Sequence, residues 1–255
     1  MTRRATPTPR ALYVHDDLTD DVCRRWGAES EAGRQVRALM RLVARDAARV
    51  RILTLAEQIG ALTAAGPHAP FDVAIGIGGA GERVARQVHA RTGWFPAVER
   101  IELTREENDA GGYDLSTRGA GTLQTQLKRA DGRASIAVVD DTVFSGSTML
   151  AVLRALPAGA LARTRAFCLR AVGESLAAVG ALCPVAAGFV APGRLLHDVS
   201  FINASGLVRR GAIRRAGRAP LAFYERPEWM RAWFDRDAAE ITARCAALAG
   251  MLTRE

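Results

Sequence analysis

The sequence predicts an α/β fold in which a parallel sheet is flanked by helices, and two observations lead to this prediction. Strand candidates alternate with helical segments between residues 67 and 190, an arrangement typical of parallel sheets built from βα units. The strand candidate at 135–139 is apolar along nearly its whole length, as expected of a strand that is covered on both faces. We therefore expect one α/β core with further parts before and after it.

Residues 1–66 are predicted to form an N-terminal helical extension. Residues 1–29 show no regular pattern, whereas apolar side chains recur at spacings of three and four from residue 31 to residue 50, which indicates a helix. A capping-box pattern at 54–57 predicts a second helix that completes the extension.

Residues 67–190 carry the predicted core. Its strands are expected at 71–75, 97–103, 135–139, 164–171 and 185–190. Its helices are expected at 82–90, 123–129 and 147–156. The polar, glycine-containing segment 104–121, which follows the second strand, is expected to be a long mobile loop.

Residues 191–255 are predicted to form a C-terminal hood made of a hairpin and a helix. Two short apolar runs, 199–202 and 207–213, flank a turn-like Asn-Ala-Ser-Gly segment and predict the hairpin. Pro227 is suited to the first turn of a closing helix.

The composition excludes several classes of protein. Apolar residues make up 49% and charged residues 24% of the chain, which are globular proportions. There is no run of about 18 apolar residues, and the basic N-terminus lacks the apolar stretch of a secretory signal. The four cysteines form no C-x-x-C pair, so neither a disulfide framework nor a zinc site is expected. We expect a cytoplasmic protein with reduced thiols and no membrane partner.

The chain is basic, with a formal net charge of +8, which favours anionic partners such as phosphorylated small molecules or nucleic acid. Lys128 is the only lysine, and it does not follow a glycine-rich run, so a phosphate loop of the G-x-x-x-x-G-K type is excluded. A stripe of four arginines at four-residue spacing indicates either a solvated helix face or a nucleic-acid contact. The stripe consists of Arg37, Arg41, Arg45 and Arg49.

One segment carries the residues expected to perform chemistry. The buried strand candidate ends in Asp140 and Asp141, and a turn of small residues and a helix follow. Ligands of parallel sheets bind at the carboxyl ends of strands, and backbone N–H groups of a turn that opens a helix bind phosphate. Two neighbouring carboxylates accept hydrogen bonds from sugar hydroxyls and attract Mg²⁺. The segment therefore predicts a pocket for a sugar that carries a terminal phosphate.

Residues 136–148 resemble the signature with which type I phosphoribosyltransferases bind 5-phosphoribosyl-1-diphosphate (PRPP). That pattern is four apolar residues, two acids, three variable residues, then Ser or Thr, Gly, a variable residue and Thr, and every element is present. The resemblance implies a sheet of the phosphoribosyltransferase type. It also implies that Asp140 and Asp141 are catalytic, hold the ribose hydroxyls and bind Mg²⁺ directly or through water.

The resemblance also assigns the rest of the pocket and the reaction. The 5-phosphate is expected on the turn residues Thr142, Val143, Phe144, Ser145, Gly146, Ser147 and Thr148. The implied reaction transfers the phosphoribosyl group to a small-molecule acceptor, a nitrogenous ring, and releases diphosphate. The implied assembly is a homodimer.

The glycine segment at 76–81 allows two interpretations. It matches the dinucleotide pattern G-x-G-x-x-G between a strand and a helix, so a dinucleotide-dependent oxidoreductase stays as an alternative. In phosphoribosyltransferases the first core strand also ends in a tight loop, which receives the diphosphate. The resemblance assigns this loop to Ile77, Gly78, Gly79 and Ala80. The dinucleotide interpretation leaves the acid pair and its hydroxyl-rich turn unexplained.

Segment 104–121 occupies the position of the flexible loop that closes over the diphosphate in the family. The resemblance implies that Arg105 and Arg118 neutralise the diphosphate there. Closure of such a loop excludes water and strengthens these contacts.

The sequence departs from the family at Phe144, where the purine-salvage branch has an aspartate that helps the base to lose a proton. The acceptor then needs no base at this position, or the base lies elsewhere. The candidates are Glu106, Glu107, Asp109, Asp114 and His197. A PRPP-sensing regulator that binds nucleic acid is a further alternative, which the arginine stripe favours.

Overall fold

The structure is a computed structural model that describes residues 8–64, 66–110, 112–117 and 119–253. The chain divides into two compact units, each built from separate stretches of sequence. Unit 1 takes its residues from 1–55, 107–110 and 196–255, and unit 2 takes its residues from 56–106 and 111–195.

The strands are, in chain order, β1 (Ala11–Asp16), β2 (Val50–Thr54), β3 (Val73–Ile77), β4 (Val98–Ile101), β5 (Thr104–Glu107), β6 (Tyr113–Ser116), β7 (Ile136–Val143), β8 (Thr164–Val172), β9 (Val185–Ala191), β10 (Val199–Asn203), β11 (Ile213–Arg215) and β12 (Arg218–Leu221). The α-helices are α1 (Thr19–Trp26), α2 (Glu31–Val43), α3 (Leu55–Ala64), α4 (Gly78–Thr92), α5 (Leu123–Leu127), α6 (Ser147–Ala155), α7 (Gly173–Gly180), α8 (Ala204–Val208), α9 (Pro227–Phe234) and α10 (Ala238–Leu252). In the described part of the chain, no helix is both long enough and apolar enough to cross a membrane.

The main sheet of unit 2 confirms the predicted α/β fold. It has five strands in the order β4-β3-β7-β8-β9, and every neighbouring pair is parallel. The first five residues of β7 are buried, and its Val138 shares one apolar cluster with Val73, Ile75 and Ala166. Continuous burial of this kind is a property of strands covered on both faces by helices.

The strand order shows where a ligand binds in a sheet of this type. Counted from β3 as the first strand, the order is 2-1-3-4-5. The second strand, β4, therefore lies on one side of β3, and the third strand, β7, lies on the other side. Ligands of open α/β sheets lie at the carboxyl ends of the two strands between which the direction reverses, here β3 and β7. Dinucleotide-binding sheets have the order 3-2-1-4-5-6, so this sheet does not support the dinucleotide interpretation of the glycine segment.

The prediction of a long loop at 104–121 is wrong for part of that segment. Residues 104–107 and 113–116 form β5 and β6, which are neighbours in a separate sheet. Their sequences, TREE and YDLS, lack the apolar alternation by which strands are predicted from sequence. The helix α7 was also missed, because its eight residues begin and end with glycine, which lowers helix propensity.

Unit 1 contains a second parallel sheet, of three strands in the order β10-β1-β2. In its register Leu12 is paired with Val50 of β2 and with Ser200 of β10. The prediction that residues 1–29 are irregular is therefore wrong, because β1 and α1 lie within them.

The predicted hairpin after residue 198 is also wrong. Instead, β10 pairs with β1, and residues 204–208 form the short helix α8. The carboxylate of Asp17 stabilises the start of this helix by accepting hydrogen bonds from Ser205 N at 2.8 Å and from Ser205 Oγ at 2.5 Å. The partner of β10 is β1 and the partner of α8 is Asp17. Both are far away in sequence, so local patterns do not reveal them.

The predicted division at residues 66 and 190 does not coincide with the two units. Helix α3, predicted within the N-terminal extension, belongs almost entirely to unit 2. The residues before it share unit 1 with the C-terminal residues, because β1 pairs with both β2 and β10.

Three of the four arginines of the predicted stripe are bound within unit 1. Arg45 pairs with Asp237 at 2.6 Å, Arg49 donates to the carbonyl of Trp233 at 2.7 Å, and Arg37 donates to a backbone carbonyl at 2.6 Å. These guanidinium groups are used inside the unit, so the stripe no longer favours a nucleic-acid contact.

The closing helix is interrupted at Asp235, whose φ is 43°, and this residue separates α9 from α10. Apolar residues of both helices, among them Trp233, Phe234 and Ile241, are buried in the core of unit 1. The aromatic residues of this segment therefore pack as core.

Candidate functional site

Asp140 and Asp141 form an acid pair near the carboxyl end of β7, where this strand pairs with β8. Asp140 is 9% exposed, and its Oδ1 accepts a hydrogen bond from the backbone N–H of Asp141 at 2.8 Å. Asp141 is more open, and its Oδ2 accepts a hydrogen bond from Arg170 Nη2 at 3.0 Å. The two neighbouring carboxyl groups therefore have different surroundings.

These surroundings raise the pKa of Asp140 well above its ordinary value. Burial is the main cause, because it disfavours the charged form, and the neighbouring charge of Asp141 adds to it. The positive charge of Arg105 acts in the opposite direction and lowers the pKa of Asp140. Carboxyl groups with strongly displaced pKa values are concentrated at functional sites.

The turn after the acid pair is shaped to hold an anion. Gly146 has a φ of 75°, a left-handed conformation that favours glycine, and it is the N-cap residue of α6. The hydroxyls of Ser145 and Ser147 are 3.0 Å apart. The first N–H groups of a helix lack partners within the helix, so this end of α6 presents N–H and hydroxyl donors together.

Ser175 of α7 fixes this turn from outside. Its Oγ donates a hydrogen bond of 2.6 Å to the carbonyl of Phe144. A Cβ added at Gly146 would lie 3.5 Å from the carbonyl oxygen of Ser175. The turn is therefore held in place by the helix that follows β8.

The glycine segment forms a second turn that opens a helix, at the carboxyl end of β3. Gly78 has a φ of 59° and begins α4. A Cβ added at Gly81 would lie only 2.3 Å from the carbonyl oxygen of Val139, so only glycine lets the first turn of α4 lie directly against β7. The start of this helix is thus placed beside the acid pair.

The structure brings together most of the predicted site residues. Gly76 and Val139 are paired in register across β3 and β7, so the turns that follow the two strands lie at the same edge of the sheet. Ile77–Ala80 and Asp140–Thr148 are therefore neighbours. Arg105 acts on this edge through its charge, and its guanidinium lies 5.8 Å from the ring centre of Tyr113. Arg118 lies outside the described residues.

Three of the candidate general bases have partners within unit 1. The carboxylate of Glu107 accepts a hydrogen bond from Arg226, Asp109 pairs with Arg218 at 2.7 Å, and His197 lies 2.8 Å from the carboxylate of the next residue. None of these three belongs to unit 2, which carries the acid pair.

Sequence reasoning missed three residues that support the site, namely Gln58, Arg170 and Ser175. Arg170 had a recognisable signal, because it is the charged residue near the end of an otherwise mainly apolar strand, and charged side chains are rarely buried without a partner. Gln58 and Ser175 had no such signal in their own segments.

The acid pair is suited to Mg²⁺. Within the described residues, no group of three or more His, Cys, Asp or Glu side chains is placed to hold a metal ion. Mg²⁺ is often bound by only one or two carboxylates, together with water and substrate phosphates. Asp140 and Asp141 supply that number of oxygen ligands, so they fit an ion that arrives with a phosphorylated substrate.

No protein-family model matches the chain. No curated protein matches it either. Among solved structures, it is similar to a purine phosphoribosyltransferase from Pyrococcus horikoshii Ot3, with 15% identity over 74% of this chain and 92% of that chain and a TM-score of 0.33. It is also similar to a hypothetical protein from Neisseria gonorrhoeae with bound ppGpp, with 14% identity over 65% of this chain and 84% of that chain and a TM-score of 0.34.

Proposed function

We propose that the protein is a Mg²⁺-dependent phosphoribosyltransferase. It transfers the 5-phosphoribosyl group of PRPP to a nitrogenous ring acceptor and releases diphosphate. One observation carries the proposal: a pair of carboxyl groups and two helix N-termini, those of α4 and α6, lie together at the edge where the strand order reverses. PRPP has a matching layout, with a diphosphate at one end, a phosphate at the other and two hydroxyls between them.

Each part of the pocket has a separate role in binding. The segment from Thr142 to Thr148 cradles the 5-phosphate with backbone N–H groups and hydroxyls. Thr142 and Val143 are the last residues of β7 rather than part of the turn, and Val143 is buried, so the donors come from the turn after Val143 and from the start of α6. Asp140 and Asp141 accept hydrogen bonds from the ribose 2- and 3-hydroxyls. The turn from Ile77 to Ala80, at the start of α4, receives the diphosphate.

The reaction is a substitution at the anomeric carbon of the ribose. The bond from this carbon to the diphosphate oxygen breaks with its electron pair, and an acceptor nitrogen forms the new bond with its lone pair. The ribose gains positive charge in the transition state, and the acid pair stabilises that charge, Asp141 as the carboxylate paired with Arg170 and Asp140 when it has lost its proton. Arg105 stabilises the negative charge on the departing diphosphate. Asp140 and Asp141 would hold Mg²⁺, which when bound would neutralise part of the same charge.

Phe144 bears on the choice of acceptor. It stands where the purine-salvage branch of the family has an aspartate, and its phenyl ring cannot take a proton. An acceptor that attacks without losing a proton at this position is therefore favoured over a purine base.

The test is diphosphate release from PRPP in the presence of Mg²⁺, with a panel of purines, pyrimidines and aromatic acids as acceptors, together with PRPP binding by calorimetry. We expect binding, and release with at least one acceptor. Asp140→Asn should abolish both, whereas Asp20→Asn, at an exposed position of α1, should change neither. A wild-type protein that does not bind PRPP would rule the proposal out. Binding without release would instead favour the PRPP-sensing regulator.

A further inference from the structure

Arg170 is a charged side chain buried behind the acid pair, and the reaction as proposed does not use it. Its side chain is 1% exposed. Burying a guanidinium is costly unless its donors are bound by acceptors and its charge is balanced. The structure provides a charge partner in Asp141, at 3.0 Å, and a neutral acceptor in Gln58, whose Oε1 lies 3.2 Å from Nη1.

The backbone holds these three residues in fixed positions. Arg170 is paired in register with Thr142, the residue directly after the acid pair. Gln58 is 2% exposed and lies in α3, which packs directly on the sheet. A Cβ added at Gly188 of β9 would lie 2.4 Å from the carbonyl oxygen of Gln58, so only glycine permits this close approach.

The two carboxyl groups are consequently fixed by different means. Asp140 is oriented by the hydrogen bond that its Oδ1 accepts from the backbone N–H of Asp141. Asp141 uses Oδ2 for Arg170, and this contact sets the direction of its second oxygen. Arginine suits this task better than lysine, because its planar guanidinium binds two acceptors in a rigid geometry.

We infer that Arg170 is a positioning residue, which Gln58 holds in place and which aims the carboxylate of Asp141 at a ribose hydroxyl. The inference rests on the proposed function, since it assigns a role within the same pocket. It also gives α3 a part in the site, because this helix contributes Gln58.

The experiment compares two probes, ribose 5-phosphate and inorganic phosphate, as competitors of PRPP binding. Inorganic phosphate reports on the phosphate-binding turns without any sugar contact, and the ratio of the two affinities reports on the sugar contacts. Hydrogen bonds to charged groups contribute enough that their loss changes affinity by about tenfold or more. In Arg170→Gln we expect this ratio to fall by about tenfold, while the affinity for inorganic phosphate stays within about twofold of the wild type. Arg170→Lys should restore part of the ratio.

Arg165→Gln is the matched control, because Arg165 lies in the same strand but is paired with Ala137, away from the site edge. If Arg170→Gln does not fold, Gln58→Leu decides, and we expect a fall of about threefold because the charge pair stays while its orientation loosens. An unchanged ratio in the folded variant would overturn the inference and leave the proposed function intact. A wild-type protein that does not bind PRPP would overturn both.

Discussion

Arg170 and Asp141 form an ion pair with an N···O distance of 3.0 Å, in which 1% of the Arg170 side chain and 21% of the Asp141 side chain is exposed. A buried ion pair adds little net stability, but loss of one partner leaves the other charge uncompensated in a poorly solvated place. The stability of unit 2 is therefore tied to a carboxylate whose proposed role is to bind substrate.

Asp141→Asn should lower the free energy of unfolding by about 3 kcal/mol, because the buried guanidinium of Arg170 loses its charge partner. The measurement is urea unfolding at neutral pH. Asp109→Asn is the control, since its pair with Arg218 is largely exposed, and exposed pairs contribute about 0–1 kcal/mol. Equal losses in the two variants would show that the pair with Arg170 is not buried in solution.

Asp140→Asn should have the opposite effect on stability. The pKa of Asp140 is raised by burial and by the charge of Asp141, so the folded protein holds this proton more tightly than the unfolded chain. The contribution of this group to the stability of the wild type is then fully present below the ordinary pKa of an aspartate, and it is lost as the pH rises through the raised pKa. The loss is about 1.4 kcal/mol for each unit by which the pKa is raised. Asparagine carries no charge at any of these pH values, and its Oδ1 still accepts the N–H of Asp141.

We therefore expect Asp140→Asn to have a higher thermal midpoint than the wild type at pH values above 7. Its stability should also decline less as the pH rises, and PRPP binding should be lost. Thermal unfolding from pH 4 to pH 9 measures this, with Asp20→Asn as an exposed control. A variant less stable than the wild type at every pH would contradict the assignment of a buried carboxyl group with a raised pKa.

The sequence predicts those parts of the site whose residues are adjacent along the chain. The apolar run of β7, the two acids and the small-residue turn occur together, so the strand, the acid pair and the start of α6 were all predicted from residues 136–148. Gly81 was found within a pattern too, although only the structure explains it through its close approach to Val139.

The parts that the sequence does not predict depend on contacts between distant segments. Gln58 and Arg170 are 112 residues apart, and neither segment contains information about the other. The same holds for β1, which pairs with strands from both ends of the chain. No turn signal links the six residues of β1 to β10. The residues of β10 were therefore assigned to a hairpin with the next apolar run along the chain, and this hairpin was wrong.

Gly146→Val should abolish PRPP binding. Gly146 has a φ of 75° at the N-terminus of α6, so a β-branched residue there would be strained. Its Cβ would lie 3.5 Å from the carbonyl oxygen of Ser175, so its methyl groups would displace the turn that is proposed to hold the phosphate. Loss of about two hydrogen bonds to a charged phosphate lowers affinity by about 10²-fold. Calorimetric titration with PRPP measures this.

Gly132→Val provides the control for strain alone. Gly132 has a φ of 69°, and an added Cβ would meet nothing within 4 Å, so this variant carries a similar backbone penalty of about 1–3 kcal/mol away from the pocket. We expect it to lose stability and to bind PRPP normally. If Gly146→Val bound PRPP as well as Gly132→Val does, the phosphate would have to bind elsewhere.

Arg105→Gln should slow diphosphate release. It should also change the pH dependence of stability, which is measured independently. Removing a group that stabilises charge in the transition state typically lowers the turnover rate by about 10²-fold. Arg105 also lowers the pKa of Asp140 in the substrate-free protein, so without it this pKa rises further, and the decline of stability extends to higher pH. Arg129→Gln is the control, because Arg129 is half-exposed and pairs with Glu99. A variant with slower release but an unchanged pH profile would place Arg105 near the diphosphate and away from Asp140, whereas a variant unchanged in both would remove Arg105 from the site.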